Sequence, residues 1–227
     1  MLNKVTFTGV DNRTNLDDLV LLSEKYPFVE FGVLFSTKQP TDEKWKNRYP
    51  DKTILKKLKN KNLNLCGHIC GSAARKIVKE NDWTEFYNLF GKEIDIFNRF
   101  QLNVSDIKHF SETIDFPADK NFIIQLKNNL SLYDKYKDLP NVFGFQDNSG
   151  GLGKFENNWI DSDRYFGYAG GLNINNVEEV IKDLYIVNND DFWIDMETSV
   201  RTNDWFDVEK CEKILKICKN YVGKSHI

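Results

Sequence analysis

Three carboxylates, Asp147, Glu197 and Asp11, each stand just behind a short apolar run and could carry protons to or from a substrate. The ends of the other runs carry Thr8, His68, Asn103, Gln125, Gln146 and Asp195, with Lys127 and Asn148 beside them. A buried polar side chain costs free energy unless it is paired. So many polar groups in equivalent positions imply a wet ligand cavity. The competing role is capping of loops and helices, and about half of these residues are expected to face a ligand. Two carboxyl groups whose surroundings push their pKa values apart can supply acid and base to one reaction.

Glycines add a second kind of chemistry. Gly150 and Gly151 fall in Ser149–Lys154, and Gly170 and Gly171 fall in Ala169–Asn173. The second cluster runs straight into a helix start, with Asn175 or Asn176 as the cap. Glycine lets backbone N–H groups approach an anion, and a helix start favours negative charge. Gly170 and Gly171 are therefore candidates for an anion site, with a plain turn as the alternative, and Gly150, Gly151 and Asn173 are candidate ligand contacts. Cys66, His68 and Cys70 look like a metal set, but on a strand the two cysteines lie ~13 Å apart. Cys211 and Cys218 share one face of a helix and serve as small core residues. Neither a metal nor a cofactor is implied by these patterns.

The elements that must hold these groups alternate. Runs rich in β-formers occur at 5–8, 29–35, 63–69, 100–104, 122–126, 142–146, 165–168 and 192–195, each followed by a stretch able to form a helix. Helices are expected at 15–25, 52–59, 72–78, 176–184 and 207–221. In the last, Val208, Cys211, Ile214, Leu215, Cys218 and Tyr221 recur at three- and four-residue steps. Alternating β and α implies a parallel sheet with helical crossovers. Eight units in 227 residues fit one closed (β/α)8 barrel spanning 1–227, with a doubly wound open sheet as the alternative. The span between Asp82 and Leu130 is the hardest to divide into helices and loops. In such a barrel the strand ends that carry the polar groups are the active-site rim.

Composition narrows the function. The 31 basic and 34 acidic residues leave a net charge of −3, which excludes the basic footprint of a nucleic-acid binder. With 14% aromatics the chain can fill a large core. The longest apolar stretch, Phe28–Phe35, is short and contains Glu30, so no membrane span is expected. The first residues lack the apolar segment of a secretory leader, which points to a cytoplasmic location. His109 and His226 are expected at the surface, and the tryptophans in packing, except Trp159, which could stack on a ligand ring.

Several segments, in order, resemble phosphoribosylanthranilate isomerase, a small (β/α)8 barrel that turns a phosphoribosyl aldose-amine into a ketose-amine. Lys4–Val10 is similar to its opening Lys-Ile-Cys-Gly strand, with an insertion, and Phe31–Phe35 to its Gly-Phe-Val-Phe strand. Asn47-Arg48-Tyr49 resembles Lys-Arg-Tyr. Phe145-Gln146-Asp147 followed by Gly150–Lys154 resembles Leu-Leu-Asp followed by Gly-Gly-Thr-Gly-Lys. Ala169–Asn173 with Asn176-Val177 matches Ala-Gly-Gly-Leu-x-x-x-Asn-Val.

The resemblance implies roles residue by residue. Asp147 takes the general acid's place, Arg48 that of a substrate contact, and Gly170 and Gly171 those of phosphate-binding amides. The general base of the family is a cysteine on the first strand, where this chain has Thr8. An aliphatic hydroxyl cannot act as a base unaided. Proton abstraction would fall to Asp11 or Glu197. The strand-eight loop also departs, with Asp195-Met-Glu197-Thr-Ser-Val-Arg201 in place of Asp-Val-Ser-Ser-Gly-Val-Glu. Glu197 near a phosphate would repel it, and Arg201 could pair with Glu197 or reach the anion. Two readings follow: an isomerase acting on a ribose-containing, phosphorylated metabolite, or a barrel that has lost the chemistry and sequesters a sugar-phosphate or nucleotide-like ligand.

Overall fold

The computed structural model describes residues 1–38, 40–104, 110–126, 131–147, 149 and 153–224. Eight parallel strands close into a barrel in sequential order: β1 (Leu2–Thr8), β2 (Val29–Phe35), β3 (Leu65–Ile69), β4 (Arg99–Leu102), β5 (Asn121–Leu126), β6 (Val142–Asp147), β7 (Phe166–Ala169) and β8 (Phe192–Met196). Closure comes from β8 pairing with β1, with Thr6 opposite Asp195. All eight expected runs are strands, with small shifts at their ends.

Helices cover the outside: α1 (Leu16–Lys25), α2 (Glu43–Lys46), α3 (Thr53–Leu58), α4 (Ser72–Glu80), α5 (Thr84–Phe90), α6 (Ser131–Tyr136), α7 (Val177–Val187) and α8 (Val208–Cys218). Side-chain caps start two of them. Asn15 accepts from the Asp17 amide at the start of α1, and Asp207 accepts from the Lys210 amide at the start of α8. In α8 the apolar stripe buries Cys211, Ile214, Leu215 and Cys218. In the described residues a helix follows six of the eight strands. Among the described residues, neither the segment from β4 to β5 nor that from β6 to β7 contains one. Aromatic side chains do the covering there: Phe116 packs on Trp83 and Phe122, and Trp159 packs edge-on against Tyr168.

Alternation along the strands fills the barrel interior in layers. Low in the barrel, Glu30 on β2 meets Arg99 on β4 through a two-pronged ion pair with contacts of 2.6–3.0 Å. Thr6 and Lys4 also donate to Glu30. Burial alone would raise this carboxyl, but the charges of Arg99 and Lys4 outweigh it and hold it at about 2. Beside this pair, Phe145 and Trp193 stack with ring centroids 6.1 Å apart. They meet across β7 because Gly167 leaves room; a Cβ there would lie 2.1 Å from the Trp193 ring. Cys66, Ile123, Phe145, Ala169 and Trp193 form an apolar cluster of their own inside the barrel.

Candidate functional site

Above that cluster, at the carboxyl ends of the strands, lies a cavity of about 530 Å³. Thr8, His68, Asn103, Gln125, Asp147, Gly170, Gly171, Asn173, Asp195 and Glu197 line it, all read from sequence as site residues.

Thr8, at the end of β1, donates its hydroxyl to Asp195 at 2.8 and 3.0 Å, and the same oxygen lies 3.3 Å from His68 Nε2. Strand β2 runs between Thr8 and His68 and would separate them with any side chain. Its residue there is Gly32, whose Cβ would fall 2.4 Å from Thr8 Oγ1 and 2.9 Å from His68 Nε2. The missing side chain is what lets the three groups meet. Burial pushes the Asp195 carboxyl well above its ordinary value, and the nearby Glu197 and Asp147 push the same way against the Thr8 hydrogen bond. Burial lowers His68 to about 3, so its imidazole is neutral at physiological pH.

Asp147, at the end of β6, is held by Gln125 Nε2 at 2.9 Å and by the amide and hydroxyl of Ser149 at 3.0 and 2.9 Å. Cys70 accepts from Asn103 Nδ2 at 3.3 Å and shares a hydrogen bond with Tyr49. Burial pushes its thiol up to about 12, which rules it out as a nucleophile at neutral pH.

Arg48 is buried and does not line the cavity. It donates to Glu197 at 2.7 Å and to Asp204 at 3.1 Å, so it holds Glu197 in place. Burial raises the Glu197 carboxyl against the pull of Arg48. Asp11 and Arg201 also lie outside the cavity. Asp11 Oδ1 accepts from Arg13 N, Thr14 N and Thr14 Oγ1, while Oδ2 accepts from Phe206 N at 2.7 Å and Arg201 at 2.9 Å. With both oxygens engaged, Asp11 fixes the loop after β1 to the hairpin of β9 (Arg201–Thr202) and β10 (Trp205–Phe206). Arg201 bonds Gly9 O and Asp204 O as well as Asp11, not Glu197.

Gln146 faces outward and clasps the following loop, donating to Asn158 O at 2.6 Å and accepting from Ile160 N at 2.8 Å. Alternation along the strand requires this, since its neighbour Asp147 faces in. The same rule finds Gln101, which the sequence reading passed over: it lies two residues before Asn103 and lines the cavity. Leu34, Tyr49, Thr198 and Ser199 also join the lining. Trp159 packs against Tyr168 and does not line the cavity. Gly150 and Gly151, with Lys127, Asn148, His109 and His226, lie outside the described residues.

On the β7 side, Gly170 and Gly171 have positive φ values of 120° and 70°. A Cβ on Gly171 would come within 2.4 Å of the Phe155 amide nitrogen, so this glycine also admits the 154–155 backbone. Its carbonyl accepts from the side chains of Asn173 and Asn176 at 3.0 and 3.1 Å. Asn176 stands at the cap position of α7, but its side-chain oxygen turns back to Asn173 N instead of capping the helix.

These features define a (β/α)8 barrel with a carboxylate-lined cavity at the rim where barrel enzymes hold substrate. Solved structures that it resembles include phosphoribosylanthranilate isomerases. That of Thermococcus kodakaraensis has a TM-score of 0.58 at 14% identity, with 96% of this chain and 100% of that one covered. That of Thermus thermophilus has a TM-score of 0.56 at 15% identity, with 96% and 98% covered. A third, in complex with reduced 1-(o-carboxyphenylamino)-1-deoxyribulose 5-phosphate, has a TM-score of 0.56 at 17% identity, with 97% and 100% covered. The chain therefore has the fold of these isomerases over nearly its whole length. No protein-family model matches the sequence, and no curated protein sequence matches it. Among the described residues no helix is long and apolar enough to cross a membrane.

Proposed function

We propose that the cavity binds a ribose-containing, phosphorylated metabolite and catalyses an acid/base isomerisation of the aldose–ketose type. The observation that carries this reading is Asp195, a buried carboxyl with a raised pKa, oriented by Thr8 in the same cavity as Asp147. Likeness to a barrel solved with a phosphorylated deoxyribulose compound supports the ligand class.

The reaction moves hydrogen from C2 of an aldose-amine to C1. An acid protonates the ring oxygen as the C1–O bond breaks and the nitrogen lone pair forms a C1–N double bond. A base then takes the C2 proton, giving an enol-amine; C1 takes a proton back as the C2 hydroxyl gives up its own, which leaves a C2 ketone. Asp147 is the acid in this scheme. Asp195 is the base that Thr8 cannot be and that Asp11, saturated by five hydrogen bonds, is not placed to be. A carboxylate made more basic by burial is the better proton acceptor, and a base works best when its pKa nears the operating pH. Phosphate falls to the Gly170–Gly171 side.

The test is conversion of phosphoribosylanthranilate and related phosphoribosylamines, followed by fluorescence or product analysis. Turnover of phosphoribosylanthranilate is expected to be slow, because Thr8 replaces the thiol. Asp147→Asn and Asp195→Asn should each abolish it. Activity that survives both changes rejects the assignment. The replacement of the thiol by Thr8 favours one other reading, sequestration, in which a sugar phosphate is recovered unchanged from the cavity.

A further inference from the structure

Two features of the strand-eight loop find no use in the scheme above. Glu197 lines the cavity with a side chain about 20% exposed, and Arg48 occupies only its Oε1. No described residue bonds its other oxygen. Two residues on, Ser199 also lines the cavity, and its hydroxyl oxygen is buried with no hydrogen-bond partner among the described residues. A buried hydroxyl left unpaired costs free energy, so a ligand hydroxyl that reaches it relieves that cost.

From this pair we infer that Glu197 and Ser199 form a subsite for the vicinal diol of a sugar, resting on the reading that the cavity holds a ribose derivative. A fixed carboxylate oxygen accepts from a hydroxyl, and a serine hydroxyl both donates and accepts, so the two suit neighbouring O–H groups. An anion does not suit the same place. A phosphate beside an ionised Glu197 would meet like-charge repulsion. The nearby arginines do not relieve this, because Arg48 is turned to Glu197 and Asp204, and Arg201 to Asp11. The strand-eight side thus reads hydroxyls, and phosphate is confined to the glycine side.

Calorimetric titration of the full chain with ribose 5-phosphate, 2-deoxyribose 5-phosphate and inorganic phosphate tests this. Ribose 5-phosphate should bind about tenfold more tightly than its 2-deoxy analogue, the worth of one good hydrogen bond. Ser199→Ala should weaken ribose 5-phosphate binding and leave the 2-deoxy analogue nearly unchanged. Glu197→Ser should erase the preference and strengthen binding of inorganic phosphate. Equal affinities in the unaltered protein, no binding of either sugar phosphate, or a preference that survives Glu197→Ser would each overturn the subsite. Unfolding midpoints of both variants identify any that fail to fold, and the comparison of the two sugars in the unaltered chain stands without them. Diol preference without turnover removes the catalytic reading alone, and turnover without diol preference removes the subsite alone.

Discussion

The Thr8 hydroxyl donates to Asp195 across the seam where the last strand of the barrel meets the first, while the far side of the same oxygen faces His68 at 3.3 Å. The contact joins groups from three strands through one atom. It exists because β2 contributes no side chain at Gly32.

Gly32→Ala is therefore expected to damage the site more than the fold. The added methyl must push Thr8 and His68 apart, at an overpacking cost of about 1–3 kcal/mol. Ligand affinity or turnover should fall more steeply than the melting temperature. Calorimetry of unfolding beside a binding titration checks this, and unchanged binding would show that the Thr8–His68 approach is incidental.

Asp195 sets a pH dependence of stability with a definite sign. Its folded pKa lies above the ordinary 3.8, so between those two values the unfolded chain gives up a proton that the native state keeps. Native stability then falls as pH rises through this window, by up to about 1.4 kcal/mol per pH unit. Asp195→Asn removes the dependence. The variant should melt higher than the parent near pH 7 and close to it near pH 3. Equal melting differences at both pH values would contradict the buried carboxyl.

His68 should stay neutral from pH 8 down to pH 5. Its pKa of about 3 reflects burial, whereas a free imidazole titrates near 6.5. Its ring proton shifts in a nuclear magnetic resonance titration should be flat across that range. A midpoint near 6.5 would mean that the imidazole reaches solvent.

Glu30 and Arg99 are both buried, so removing one leaves a charge behind. Arg99→Met is expected to cost about 3–5 kcal/mol, and the double change Glu30→Gln with Arg99→Met to recover much of it. Lys4, which also reaches Glu30 at 3.2 Å, should soften the single loss. Denaturant unfolding of the single and double variants measures the coupling between the two residues.

The eight strands were legible from sequence because each apolar run is short, rich in β-formers and spaced by a crossover. The rim followed from the strand ends, and ten of the site residues read there share the cavity. Where that reading strayed, local rules were available in part. Alternation would have turned Gln146 outward and Gln101 inward, since adjacent strand residues face opposite ways. Among the described residues the segments after β4 and β6 carry no helix, and aromatic side chains pack against the barrel there.

What sequence determined alone is the barrel, its glycine-rich rim and the threonine that ends the first strand, all carried by residue type and short-range spacing. What only the tertiary structure decided is which charges meet. Asp11 and Arg201 are 190 positions apart yet pair at 2.9 Å, and Arg48 reaches Glu197 across 149 positions. These pairings take Asp11 and both arginines out of the cavity wall and leave Asp195 in it. The reason is electrostatic. A carboxylate or guanidinium is drawn to whatever opposite charge closure brings within a few ångströms, and no local pattern encodes that partner.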